Sequence, residues 1–116
     1  MTPFRKVNLI VGWGVFLLAT LTYLFTLEPT ASFWDCGEFI AASYKLQIGH
    51  PPGTPLFLMI ARVFTLFALG DVSKVAYMVN VMSGVAGGFT ILFLYWSITH
   101  LGLRIFGQVK KLETPQ

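Results

Sequence analysis

"VNLIVGWGVFLLATLTYLFTL", Val7 to Leu27, contains no charged residue, and Asn8 is its only amide side chain. About 20 apolar residues, rising about 1.5 Å each in a helix, cross the roughly 30 Å of bilayer hydrocarbon. The run therefore reads as a transmembrane helix, and it sets the class of the whole chain. A second stretch, Val75 to Leu103, is longer and equally free of Asp, Glu, Lys and Arg. A third, Leu56 to Leu69, is short for a span and carries Arg62.

The composition agrees, because 55% hydrophobic against 11% charged residues describes a chain whose solvent is mostly lipid. A net charge of +3 raises nucleic acid as a partner. The basic residues, however, stand at the edges of the apolar runs: Arg5 and Lys6 before the first, and Arg104, Lys110 and Lys111 at and beyond the end of the last. That distribution orients a membrane protein and gives no nucleic-acid surface. It predicts cytoplasmic termini and an extracytoplasmic segment between the runs, hence an even number of crossings. Leu56 to Leu69 is then a shallow interfacial or re-entrant helix, on which Arg62 reaches the headgroups; three crossings remain the alternative.

The expected fold is all-α, with two transmembrane helices joined by an extracytoplasmic loop holding a short helix and the shallow one. Residues 1–107 form an N-terminal transmembrane module, with spans at about 7–27 and 75–103 and a loop at about 28–74; residues 108–116 are a polar tail or linker. A cleaved signal peptide is the competing reading of the start, but its apolar run is too long and no small-x-small site follows. Gly84, Gly87 and Gly88 invite close approach by another helix. The chain looks like part of a larger multi-span protein.

The loop concentrates the polar chemistry in "SFWDCGEFIAASYKLQIGHPPGTP", Ser32 to Pro55. Glu28-Pro29 ends the first helix and Ser32 is placed to cap a short second one, with Asp35 three residues on as its capping-box partner. The functional reading of the same spacing puts Asp35 and Glu38 on one helical face, where repulsion favours keeping a proton on one of them near neutral pH. Such a pair suits general acid or base work, or a divalent cation. Cys36 reads as a small packing residue between Asp35 and Gly37. Pro51 and Pro52 forbid helix at His50, and Gly49 and Gly53 permit sharp bends on either side, so His50 is displayed at a rigid corner. There is no zinc-ligand spacing, nucleotide-binding glycine motif or Ser/His/Asp pattern.

"WDCGEF", a short helix, "HPPGTPLF" and a shallow apolar helix together resemble the N-terminal part of the GT-C class of membrane glycosyltransferases, which use polyprenyl-phosphate sugars. The resemblance runs from the first span through "AYMVNVMSG" and is closest to an uncharacterised bacterial family related to protein O-mannosyltransferases. It implies an active site on the first extracytoplasmic loop, where an aspartate acts as base on the acceptor hydroxyl while the sugar leaves its lipid phosphate with inversion. The acceptor is expected to be a protein hydroxyl. Asp35 matches that aspartate, and Glu38 stands where a second polar residue orients the acceptor or a metal. His50, Pro51 and Pro52 match a His-Pro-Pro element of substrate binding. Mannosyltransferases carry adjacent Asp-Glu where this chain has Asp35-Cys36. Asn80 stands where they have an arginine, which passes phosphate contact to Arg62 or to residues outside the chain. The implied partners are membrane lipid, a polyprenyl-phosphate sugar donor, the acceptor and the remaining transmembrane helices, and the implied location is the cytoplasmic (inner) membrane. No particular cofactor is assigned, and a divalent cation is the one candidate the acidic pair leaves open. The reading from a different class keeps the topology without the chemistry, as a scaffold or assembly subunit.

Overall fold

A computed structural model of the chain describes residues 3–51 and 53–113, with side chains described as far as residue 107. All regular structure among the described residues is helical: α1 (Pro3–Phe25), α2 (Cys36–Lys45), α3 (Pro55–Leu66), a 3₁₀ turn (Val72–Lys74) and α4 (Val75–Glu113).

At 23 residues, α1 is about 34 Å long, enough for the hydrocarbon layer. Pro3 occupies its first position, where a missing N–H costs no helical bond. The helix stops at Phe25, two residues short of the expected end, and Thr26 folds its hydroxyl back onto the Thr22 carbonyl at 2.9 Å. α4 contains the second apolar stretch. Its backbone stays helical to Glu113, six residues into the stretch read as a polar tail. Only 11% of the apolar window in α1 and 22% of that in the second stretch is buried, so both are exposed apolar helices suited to lipid. α3 has 12 residues, about 18 Å, too short to cross.

The described residues group into two compact units, Met1–Leu21 with Gly87–Gln116, and Thr22–Ala86. In the first, α1 and α4 meet through aromatic rings and small residues. Trp13 stands edge-on to Trp96 with centroids 6.2 Å apart, the ring centroids of Phe16 and Phe89 lie 4.6 Å apart, and Leu92 is fully buried. Gly12 faces the Trp96 indole, and Gly88 faces Thr20 and Phe16, so a side chain at either glycine would collide with its neighbour. The close approach expected of the α4 glycines is therefore made, in part, to α1 of the same chain.

The second unit has its core at Ala61, Val79 and Met82, with Ile40, Phe57 and Phe64 packed around them. α2 ends where Leu46 enters the left-handed region at φ 51°, with its N–H donating to the Ser43 carbonyl and that of Gln47 to Ala42, a Schellman closure. Leu69 and Gly70, both at positive φ, turn the chain out of α3. Asp71 then starts the 3₁₀ turn by accepting from the Ser73 N–H at 3.0 Å and the Ser73 hydroxyl at 2.6 Å.

Candidate functional site

The expected capping box does not form. α2 begins at Cys36, so Asp35 itself occupies the N-cap position, with φ −75° and ψ 0°, and its side chain makes no capping hydrogen bond. N-cap side chains usually accept from the first turn when the backbone is extended; the helical dihedrals of Asp35 aim its carboxylate elsewhere. Ser32 is too far upstream to take part. Trp34, at φ 68°, turns the chain sharply just before the helix. Cys36 is free and exposed, not a packing residue.

Glu38, in the first turn of α2, reaches the strap that follows the helix. Its Oε1 accepts from the backbone N–H of His50 at 2.8 Å, and its Oε2 lies 2.9 Å from His50 Nδ1. One carboxylate thus holds both the backbone and the ring of a residue twelve positions away. Two sequence features allow this. The turn after His50 is closed by the Gly53 N–H donating to the His50 carbonyl at 3.0 Å, with Gly53 at φ 71°. Gly49 serves by its missing side chain and not by a bend, because a Cβ there would stand 3.2 Å from Glu38 Oε1. Pro51 lies in this turn, and Pro52 lies outside the described residues. Phe39 packs edge-on against both the His50 ring and Phe57.

The pairing sets the charge states. The His50 backbone N–H, and then its ring, stabilise the Glu38 carboxylate and lower its pKa below the usual value. The proton that repulsion between Asp35 and Glu38 was expected to retain is therefore not held on Glu38. His50 moves the other way: its hydrogen bond to Glu38 raises its pKa above the ordinary 6.5, followed by the Glu38 charge, with a smaller contribution in the same direction from the Asp35 charge.

Arg62 is drawn into the scaffold. Its Nη1 donates to the Tyr44 carbonyl at 2.7 Å and to Thr65 Oγ1 at 3.3 Å, and its guanidinium stands 5.5 Å from the centre of the Tyr44 ring. Tyr44 belongs to the last turn of α2, whose carbonyls lack helical partners, so Arg62 ties α3 to the end of α2. Asn80 is committed likewise, its Nδ2 donating to the carbonyls of Glu28 at 2.7 Å and Thr30 at 3.2 Å. Asp35, Glu38 and His50 form one neighbourhood, while Arg62 and Asn80 brace the backbone around it.

A cleft of about 270 Å³ opens between α2, α3 and α4, lined by Cys36, Phe39, Ile40, Thr54, Phe57, Val79, Asn80 and Ser83. Cys36, Thr54 and Ser83 had no assigned place in it; the three-residue spacing of Asn80 and Ser83 on α4 is the one sequence signal for a shared polar face. Among the described residues no three His, Cys, Asp or Glu side chains come together as a metal site.

The profile described as "Protein O-mannosyl-transferase TMEM260 N-terminal domain" matches residues 35–116, a stretch that opens at Asp35 and includes Glu38, His50, Arg62 and Asn80. The chain belongs to this family. It is 34% identical over 100 residues to "Protein O-mannosyl-transferase TMEM260" of Mus musculus, covering 85% of the chain. It is 30% identical over 84 residues to "Protein O-mannosyl-transferase tmem260" of Dictyostelium discoideum, covering 72%. The matched part is 14% of the mouse protein and 10% of the Dictyostelium protein. No solved structure matches the chain.

Proposed function

We propose that the chain is the N-terminal module of a GT-C type membrane glycosyltransferase that moves a sugar from a polyprenyl phosphate to a protein hydroxyl with inversion. What supports the transferase reading is the family and the name carried by the two relatives, "protein O-mannosyl-transferase". The lipid donor and inversion come from the resemblance of "WDCGEF" and "HPPGTPLF" to polyprenyl-sugar enzymes. The bacterial affiliation rests on those strings alone, since the two relatives named above are eukaryotic. The proposed topology has both termini cytoplasmic and residues 28–74 at the extracytoplasmic face of the cytoplasmic membrane; what supports it is the basic residues at the span edges.

The observation that carries the site is the division of labour between two carboxylates one helical turn apart. Asp35 makes no capping bond, whereas both oxygens of Glu38 are occupied by His50. Asp35 is thus the group available to take the acceptor proton as the hydroxyl oxygen bonds to the sugar's anomeric carbon and the bond to the donor phosphate breaks. Glu38 positions and charges His50, with Nδ1 turned to the carboxylate and Nε2 left to meet the leaving phosphate. Arg62, already bonded to Tyr44, is a brace in this scheme.

The test is turnover per folded molecule of the full-length protein, in membranes supplied with polyprenyl-phosphate sugars. Asp35→Asn should lower turnover about 10²-fold or more without reducing the folded amount, because the amide keeps the shape and cannot take the proton. Turnover near wild type would remove Asp35 as the base. Absence of transfer by the wild-type protein with any such donor would return the chain to the scaffold reading.

A further inference from the structure

We propose that the cleft lined by the start of α1 and residues 93–103 of α4 binds the phosphate headgroup of an anionic phospholipid. The cleft measures about 730 Å³ and lies wholly within the unit Met1–Leu21 with Gly87–Gln116. Its lining is divided. Arg5, Asn8, Ser97 and His100 supply polar groups, and Phe93 and Leu103 supply an apolar wall.

The charge balance points to an anion. The unit contains Arg5, Lys6, Arg104, Lys110 and Lys111, and its one acidic residue is Glu113. Among the described residues the ion pairs are His50–Glu38 and Lys74–Asp71, both in the other unit, so Arg5 has no such partner. The Asn8 amide oxygen is buried with no hydrogen-bond partner; as an acceptor it calls for a donor, which a hydroxyl of a lipid headgroup supplies and a phosphate oxygen does not. A guanidinium offers forked donors that match phosphate oxygens, and His100 on the facing helix supplies a second donor. The adjoining Phe93 and Leu103 select for a phosphate that carries acyl chains over free phosphate. On the proposed topology these residues stand at the cytoplasmic leaflet, where anionic lipids and basic pockets between spans meet. The site does not depend on the transferase reading.

The full-length protein, purified in neutral detergent, is titrated with dioleoylphosphatidylglycerol, dioleoylphosphatidylcholine or inorganic phosphate and followed by native mass spectrometry and thermal unfolding. Phosphatidylglycerol should bind saturably and raise Tm, while the other two should not. Arg5→Gln should weaken that binding about fivefold, and His100→Gln should weaken it in the same direction. Lys74→Gln, in the other unit, should leave it unchanged. Equal binding of the two lipids, saturation by inorganic phosphate alone, or unchanged affinity in both Arg5→Gln and His100→Gln would each overturn the proposal. So would a wild type that binds no phosphatidylglycerol while Arg5→Gln lowers Tm in lipid-free detergent, because the cleft would then be filled by another part of the full-length chain.

Discussion

In the unit Thr22–Ala86, polar side chains reach across long stretches of sequence: Glu38 to His50, Arg62 to Tyr44, and Asn80 to Glu28 and Thr30. In the unit Met1–Leu21 with Gly87–Gln116, the contacts are mainly of rings on rings and of glycines under side chains, and the Thr20 hydroxyl is buried with no hydrogen-bond partner. The first arrangement fixes particular atoms, because a hydrogen bond is lost within a few tenths of an ångström and tens of degrees. The second sets how closely the helices approach, through small residues under large ones. A carboxylate and an imidazole held in register, as Glu38 and His50 are, belong to the first kind of structure, and closely packed apolar helices belong to the second.

The comparison breaks most directly at Gly88. Gly88→Val should cost about 1–3 kcal/mol of stability, because the new branched side chain meets Thr20 and Phe16. Gly102→Ala, in the same helix with open space around it, should be neutral or stabilising by up to about 1 kcal/mol. Thermal unfolding in detergent reads both; equal effects would mean that glycine contact does not set the separation of these helices.

Arg62→Leu tests the brace. Losing a charged donor to the Tyr44 carbonyl should cost about 1.5–3 kcal/mol, with proteolysis quickening first at the end of α2. If stability holds and binding of a polyprenyl phosphate falls instead, Arg62 is a phosphate ligand, as the sequence resemblance implied.

Glu38→Gln has the smallest expected effect at neutral pH and the most specific signature. Both partners are exposed, so the effect is a shift in pH dependence and not a large loss of stability. His50 has a raised pKa, so its contribution is fully present below 6.5 and is lost as pH rises through its folded value. Glu38 has a lowered pKa, so its contribution is present above its ordinary 4.5 and is lost as pH falls through the folded value. The pair is therefore strongest between about 4.5 and 6.5, extending upward as far as His50 stays charged. Removing the carboxylate should move the His50 titration, followed by NMR, to lower pH. If the NMR titration is unchanged, the 2.9 Å contact does not hold in solution.

Much of the scaffold was legible in advance, for a physical reason. Hydropathy over twenty residues integrates a large free energy, so the helices around Leu17 and Leu92 and the brevity of the helix around Arg62 follow from counting apolar residues. The site was legible only as a neighbourhood. Spacing put Asp35 and Glu38 one turn apart, but it did not distinguish a capped helix starting at Ser32 from one starting at Cys36. End positions depend on which few hydrogen bonds win, each worth about 1 kcal/mol.

What the sequence determined by itself is the class: two apolar helices flanked by basic residues, and between them a polar loop stiffened at Pro51. These follow from the solvent preferences of each residue and the reach of a helix, which need no knowledge of neighbours. The tertiary structure decided the partners. Glu38 takes His50 and leaves Asp35 without a capping bond, Arg62 closes the end of α2, and Asn80 secures the chain at Glu28 and Thr30. Such pairings join residues 12 to 52 positions apart, and which donor meets which acceptor is settled only when packing around Ala61, Val79 and Met82 brings the helices together.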